Sequence, residues 1–178
     1  MDIGCQAWLE KIRPKMPYFL GRIIDIGALD INGSAKEYLR TVDYAEYIGI
    51  DMQDGKGVDI KMNAHDIKDR FTEGEFDLVI CMNTLEHDNK FWVTLENIRY
   101  ILKPGGSFIF ASPTTNFPEH KHPQDFYRFM PDAVKEVVFE GFDVIDIETV
   151  YSKKIEDSTH RKGWRGINPI ICGLGIKI

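Results

Sequence analysis

The stretch from Arg22 to Asp51 constrains this chain more than any other. An apolar run, Ile23-Ile24-Asp25-Ile26, breaks at Gly27 into a tight turn; a helix is expected to start near Gly33-Ser34, and Tyr47-Ile48-Gly49-Ile50-Asp51 reads as a second strand. Strand, turn, helix and strand in this order make a βαβ unit. Its right-handed crossover leaves the carboxyl ends of both strands on one edge of a parallel sheet, where a crevice takes a nucleotide. Asp25 lies at the end of the first strand, and Asp51 follows Gly27 by about 24 positions, near the ~20-residue spacing at which an acid meets ribose hydroxyls. Gly27 alone is explained by any turn needing positive φ, and Asp51 alone by an ordinary loop acid; the pair carries the argument. Leu29, Asp30 and Ile31 stand where further glycines would let the backbone approach a pyrophosphate. A nucleoside without pyrophosphate is the expected guest.

With 178 residues the chain is expected to form one domain over 1–178, and 43% hydrophobic with 28% charged residues is ordinary for a globular protein. No apolar run approaches the ~20 residues that span a bilayer, and Asp2, Gln6, Glu10 and Lys11 interrupt what would be a signal-peptide core. A cytoplasmic protein without membrane contact is expected. Cys5, Cys81 and Cys172 are an odd number at unrelated spacings, so free thiols are expected. A net charge of −6 gives no electrostatic case for a broad nucleic-acid face.

Around the βαβ unit, residues 1–21 form an N-terminal extension in which Trp8, Leu9 and Ile12 have helical spacing before Pro14 and Pro17. Its apolar face is expected to pack on the domain and not to act as a lid. A third short strand is expected over 57–62, and Phe76 to Met82, nearly all apolar after Asp77, reads as a central strand covered on both faces. Residues 89–103 place Phe91, Trp92, Leu95, Ile98 and Leu102 on one helical face, stopped by Pro104-Gly105-Gly106, and Ser107 to Ala111 forms a fifth strand. A further helix starts at Pro131, with Ala133, Val134, Val137 and Val138 as its stripe and Gly141 as its stop. The last two strands, 142–150 and about 168–178, have no long helix between them and are read as antiparallel. The expected fold is α/β, Rossmann-like and doubly wound: seven mostly parallel strands, a reversed seventh, and helices on both faces.

These residues resemble the class I S-adenosylmethionine-dependent methyltransferases, in the small single-domain form of the type 11 kind, from roughly Arg22 to Phe142. Asp25-Ile-Gly27 resembles the acid-x-Gly start of the first motif, and Gly49-Ile-Asp51 the second. Asn83-Thr-Leu-Glu-His87 resembles the motif after the fourth strand, and Leu102-Lys-Pro-Gly-Gly106 the turn before the fifth. The Leu29-to-Ser34 variant resembles a subset lacking the later glycines. The resemblance implies S-adenosylmethionine as cofactor. Asp25 with the Gly27-Ala28 backbone would line its methionine end, Asp51 with Met52 beside it would hold the ribose, Asp66 with Ile67 would meet the adenine edge, and the Asn83 backbone would pass the sulfonium.

Methyl transfer from a sulfonium is an in-line displacement that chiefly needs alignment and exclusion of water. A base helps where a hydroxyl must lose a proton, and His87, just past the fourth strand on the cofactor edge, is the candidate, set against a packing role in the following helix start. The acceptor-side loop 113–130 supplies His120, His122, Tyr127 and Arg128. Asp125-Phe-Tyr-Arg-Phe129 resembles a segment recurrent in this subset and is read as structural or acceptor-shaping. His-x-His with Asp125 is read as pocket chemistry, so no metal is expected. The second acceptor-side loop, 151–167, carries five basic against two acidic residues, and its Arg161, Trp164 and Arg165 are expected to meet a small-molecule or glycan-like acceptor, anionic if the charge is functional. The alternatives are a nicotinamide-dependent oxidoreductase, disfavoured by the absent glycines and the lack of a Tyr-x-x-x-Lys pair, and a nucleoside-binding module without catalysis.

Overall fold

The computed structural model describes residues 3–31, 33–39, 42–121, 123–152 and 168–178. Seven strands make one sheet: β1 Phe19–Ile26, β2 Asp43–Asp51, β3 Ile60–Lys61, β4 Phe76–Met82, β5 Leu102–Pro113, β6 Phe142–Ser152 and β7 Asn168–Lys177. Their order across the sheet is β3-β2-β1-β4-β5-β7-β6. Pairs from β3 to β5 are parallel, whereas β7 runs antiparallel to both β5 and β6. The expected topology is therefore present, reversed seventh strand included.

Side-chain alternation along β4 builds the two halves of the core. Leu78 and Ile80 join one cluster with Trp8 and Ile12 of α1 (Ile3–Ile12) and Leu39 of the four-residue α2 (Lys36–Leu39). Val79 and Cys81 join the opposite cluster with Leu95, Ile98 and Ile101 of α3 (Phe91–Ile101). Burial on both faces removes the need for polar alternation, which is why β4 reads as an unbroken apolar run. The N-terminal extension packs as expected: α1 lies against β6 and β7, and the Trp8 indole donates to Asp146 Oδ1 at 2.9 Å.

Four local expectations need correction. The crossover helix α2 is a single turn, started by Ser34 Oγ accepting from the Lys36 amide at 3.1 Å. Trp92 stands about one-third turn away from Phe91 on α3, and it is 53% exposed. The Pro104-Gly105-Gly106 turn lies within β5, as a bulge between the Phe76–Leu102 and Leu78–Ser107 pairings. The helix from Pro131 runs only to Ala133 (α4) before widening into a π turn, Val134–Val138, closed by the Phe139 amide on the Val134 carbonyl at 3.0 Å. That wider winding turns Val137 outward and brings Phe139 into the core.

The β1 exit is the tightest point of the sheet edge. Gly27 adopts φ +80°, and a Cβ there would stand 2.0 Å from Thr84 Oγ1. Both the Gly27 and Ala28 amides donate to the Ile50 carbonyl, at 2.9 and 3.0 Å, tying the turn to the end of β2. Replacing Gly27 by Ala adds the left-handed penalty of roughly 1–3 kcal/mol, apart from the clash with Thr84. Thermal denaturation of Gly27→Ala is expected to show a melting temperature lower by several degrees, and an unchanged midpoint would refute this reading of the turn.

Candidate active site

A cleft of about 1190 Å³ runs along the carboxyl edge of the parallel strands. Pockets for a single small ligand span about 300–1,000 Å³, so this one has room for two reactants side by side.

Its first half is built by the ends of β1 and β2. Asp25 is buried, and its Oδ2 accepts from the Tyr47 hydroxyl at 2.7 Å. Burial pushes its carboxyl up to about 6, against the Tyr47 hydrogen bond and with a smaller push from Asp51. Burial raises the Tyr47 phenol as well, with the Asp25 charge adding to it, so Tyr47 stays a donor. Asp51 is oriented by the Gln53 amide on Oδ1 at 2.9 Å. The absent glycines find their explanation at Asp30. Its carboxylate pairs with Lys56 at 2.6 Å and accepts from the Gly33 amide at 2.7 Å, shaping by side chain a loop that a glycine-rich turn would shape by backbone. The Lys56 bond, then the Gly33 amide, hold that carboxyl below its ordinary value.

Asn83, at the β4 exit, has φ +53° and donates its amide to the Ala111 carbonyl at 2.7 Å, turning the chain sharply between the two halves. Asparagine is among the few residues that tolerate this conformation.

The second half centres on the short turn Leu85–His87. Glu86 is fully buried; its Oε2 accepts from the Ser112 hydroxyl at 3.0 Å, while its Oε1 has no hydrogen-bond partner. His87 Nδ1 meets the Gln124 carbonyl, so that nitrogen carries a proton and donates, which turns Nε2 toward Glu86. The His120 ring stands edge-on to it, with centroids 4.8 Å apart. Phe117, Gln124 and Phe126 complete the wall.

The loop that delivers His120 is held from within. Arg128 grips Asp125 through two nitrogens and donates to the Phe117 and Pro118 carbonyls at 3.2 and 2.9 Å. Asp125 Oδ2 accepts from the His120 amide at 2.8 Å. The Arg128 bonds, opposed by desolvation and helped by the His120 amide, hold the Asp125 carboxyl far below the usual range. The Phe126 and Tyr127 amides donate to the Glu86 carbonyl at 2.7 and 3.3 Å, docking the loop on the turn after β4.

A profile of the methyltransferase-domain family matches residues 4–149. The chain belongs to that family. With the strand order above, it is a class I S-adenosylmethionine-dependent methyltransferase. A SAM-dependent methyltransferase from Archaeoglobus fulgidus superposes with a TM-score of 0.67 at 18% identity, over 97% of this chain and 94% of its own. The Burkholderia thailandensis 1,6-didemethyltoxoflavin-N1-methyltransferase gives 0.70 at 13% identity, over 99% and 79%. At these identities the likeness is one of fold. The probable pectin methyltransferase QUA2 of Arabidopsis thaliana is 29% identical over 101 residues, which are 56% of this chain and 15% of that protein. The chain thus spans a small part of that relative's length.

In this methyltransferase the cleft gathers Asp25, Gly27, Ala28, Asp51, Met52, Asn83, His87 and His120 from the residues singled out by sequence. Others stand elsewhere. Asp66 is exposed outside the lining and Ile67 is sealed in the core, while Met62 to His65 line the cleft in their place. Arg128 is spent on the loop, and Tyr127 packs edge-on against Phe91 while its hydroxyl donates to the Asn89 carbonyl at 3.2 Å. Both brace the loop after β5 instead of lining the cleft. His122, Arg161, Trp164 and Arg165 lie outside the described residues. Sequence reasoning passed over Glu86, and also His65, whose Nε2 lies 2.8 Å from Asp88 Oδ1. The Glu-His dipeptide directly after a buried strand was the available signal.

Asp25 yields a two-sided prediction. Its folded-state value lies above the unfolded one of about 3.8, so the ionised group costs stability, fully above pH 6 and not at all below pH 4; the shift corresponds to roughly 3 kcal/mol. Without ligand at pH 7.5, Asp25→Asn is expected to melt higher than the parent, keeping an oxygen for the Tyr47 hydroxyl. A cationic ligand group at Asp25 reverses the balance. S-adenosylmethionine affinity is expected to weaken as pH falls through 6, by at most tenfold per unit, and to lose this dependence in Asp25→Asn. Calorimetric titration at several pH values checks both arms.

Proposed function

We propose that this methyltransferase transfers its methyl group to an oxygen of a small-molecule or glycan-like acceptor held against His87 and His120. The carrying observation is the division of the cleft at Asn83 into a half lined by the acids Asp25 and Asp51 and a half lined by the imidazoles His87 and His120, with the carboxylate of Glu86 buried behind them. Asp25 with the Gly27-Ala28 backbone takes the methionine end, Asp51 the ribose hydroxyls, and Met62 to His65 the side where adenine lies. The acceptor oxygen attacks the methyl carbon as the carbon–sulfur bond breaks; the electron pair returns to sulfur, giving S-adenosylhomocysteine, and the hydroxyl proton leaves to water. Holding both reactants in line supplies most of the acceleration.

Two named relatives support the acceptor class from different sides, although the Burkholderia enzyme is named for methylation at a nitrogen, so the choice of oxygen rests on the cleft. QUA2 is named for methylation of a carbohydrate polymer, and the Burkholderia enzyme was solved with a small heterocycle and S-adenosylhomocysteine. The five basic residues between Tyr151 and Ile167 favour an acceptor bearing carboxylate or phosphate. A nicotinamide oxidoreductase is not favoured: the family match and the Asp30-built loop both speak for a nucleoside without pyrophosphate.

Thermal shift provides the first test. A hundredfold excess of ligand over its dissociation constant stabilises by about 2.7 kcal/mol. S-adenosylmethionine and S-adenosylhomocysteine are expected to raise the melting temperature, NAD to leave it, and Asp51→Ala to abolish the response. With a methylated acceptor in hand, His87→Gln, by displacing a group that the acceptor is held against, should keep cofactor affinity and lower turnover by about 100-fold. Unchanged turnover would return His87 to a packing role.

A further inference from the structure

Glu86 Oε1 poses a problem that the fold leaves unsolved. The carboxylate is sealed from solvent, one oxygen is bonded to Ser112, and the other has no hydrogen-bond partner. Two imidazole nitrogens face it, His87 Nε2 at 3.7 Å and His120 Nε2 at 3.6 Å. These separations exceed the 2.7–3.2 Å of a hydrogen bond, so no proton bridges either pair directly. They suit a shared ion. Two ligand atoms set tetrahedrally at ~2.1 Å from one metal stand about 3.4 Å apart.

Proton placement points the same way. Because Nδ1 of His87 meets a carbonyl, it carries hydrogen, and the ring places Nε2 on the Glu86 side. His120 turns Nε2 to the Glu86 side, while its Nδ1 stands 3.2 Å from Asp125 Oδ2 without the geometry of a hydrogen bond. Ser112 and the Gln124 carbonyl thus each orient one inner group through its far atom, the arrangement in which metal-binding carboxylates and histidines are held, and Asp125 places His120 through its backbone amide. All three inner atoms lie within 4.8 Å of one another.

We propose that Glu86 Oε1, His87 Nε2 and His120 Nε2 form a divalent-metal site for a zinc-like ion on the acceptor side of the cleft. Two imidazoles and a carboxylate suit such an ion, and three protein ligands leave a position open toward the cleft. This deepens the acceptor reading above and rests on it for its role. The open position receives the acceptor oxygen, whose hydroxyl becomes easier to ionise beside the cation, and the proton departs to water at the cleft mouth. An acceptor with an oxygen free to approach a cation, such as a sugar hydroxyl or a carboxylate, is the class selected. The sequence expectation of no metal is replaced by this proposal.

Cobalt(II) is the probe, because bound to imidazole and carboxylate with low coordination it absorbs visibly and strongly. Chelator-treated protein is expected to take up one equivalent of Co²⁺ with that spectrum, to lose it on adding Zn²⁺, and to bind S-adenosylmethionine as before. Glu86→Gln and, separately, the more peripheral His120→Asn should each weaken uptake by at least 100-fold, with cofactor affinity certifying that both fold. Absence of stoichiometric uptake by the parent protein, or uptake unchanged in His120→Asn while cofactor binding is intact, overturns the site. Activity separates this from the reading beneath it. Acceptor methylation undiminished in excess chelator retires the metal and keeps the methyltransferase assignment; metal uptake with no methylation of hydroxyl or carboxylate acceptors keeps the site and retires the acceptor class.

Discussion

The pair of amides at Gly27 and Ala28 that share the Ile50 carbonyl fixes the rest of this molecule. It locks the exit of β1 to the end of β2, while Thr84, filling the space a Cβ would take, locks the same turn to the segment after β4. Thr84 Oγ1 lies 3.2 Å from the Ile26 carbonyl and 3.1 Å from that of Met82, so the exits of β1 and β4 are joined by one hydroxyl. Three strand ends held in one plane set Asp25, Asp51 and Asn83 side by side. A parallel sheet always gathers its carboxyl ends on one edge; at this edge the turn turns that topological fact into a binding geometry.

The half of the cleft around His87 and His120 depends on a different kind of order. Beyond Pro113, at the end of β5, the described residues of the loop to Met130 form no regular element, so their backbone groups must find partners one at a time. Arg128 satisfies several carbonyls at once, and Asp125 returns the favour to Arg128 and to the His120 amide. Removing either charge would leave the other partly buried and uncompensated, a change that commonly costs several kcal/mol. Such bonding holds the described part of the loop without secondary structure, which suits a wall that must present His120 at a set distance from Glu86.

What the sequence revealed follows from how local each signal is. The strand order and the reversed seventh strand were legible because apolar runs, breaker residues and the missing crossover before β7 are features of contiguous segments. The place of Asp51 at the end of β2, on the cleft, was legible because its spacing from Gly27 reports a βαβ unit. Glu86 was not: a glutamate ahead of a histidine reads as a solvated turn, and only tertiary packing against Ser112 shows it to be buried. Arg128 misled for the converse reason, since a cation in an acceptor loop looks available until the loop's own carbonyls consume it. The placement of Asp66 and Ile67 failed by register, because the turn Ala64–Asp69 points Ile67 inward and Asp66 out. The π turn at Val134–Val138 lies beyond any reading that assumes a 3.6-residue period.

The two halves of the cleft pose one electrostatic problem twice. Asp25 and Glu86 are both carboxylates removed from water, and burying such a charge is tolerable only with a compensating partner. Asp25 meets the cost partly by holding on to its proton, as its value near 6 records, and partly through the Tyr47 hydroxyl. On the proposed reading the cofactor brings the missing positive charge as its ammonium group. Glu86 has a hydroxyl on one oxygen and two imidazole nitrogens beyond hydrogen-bond reach of the other. An ion between them answers there the need that the ammonium answers at Asp25. Each reactant would then meet a cation–carboxylate pair, one bringing the charge with it and the other finding it in place, so the unliganded fold carries the destabilisation of both acids as the cost of binding each guest tightly.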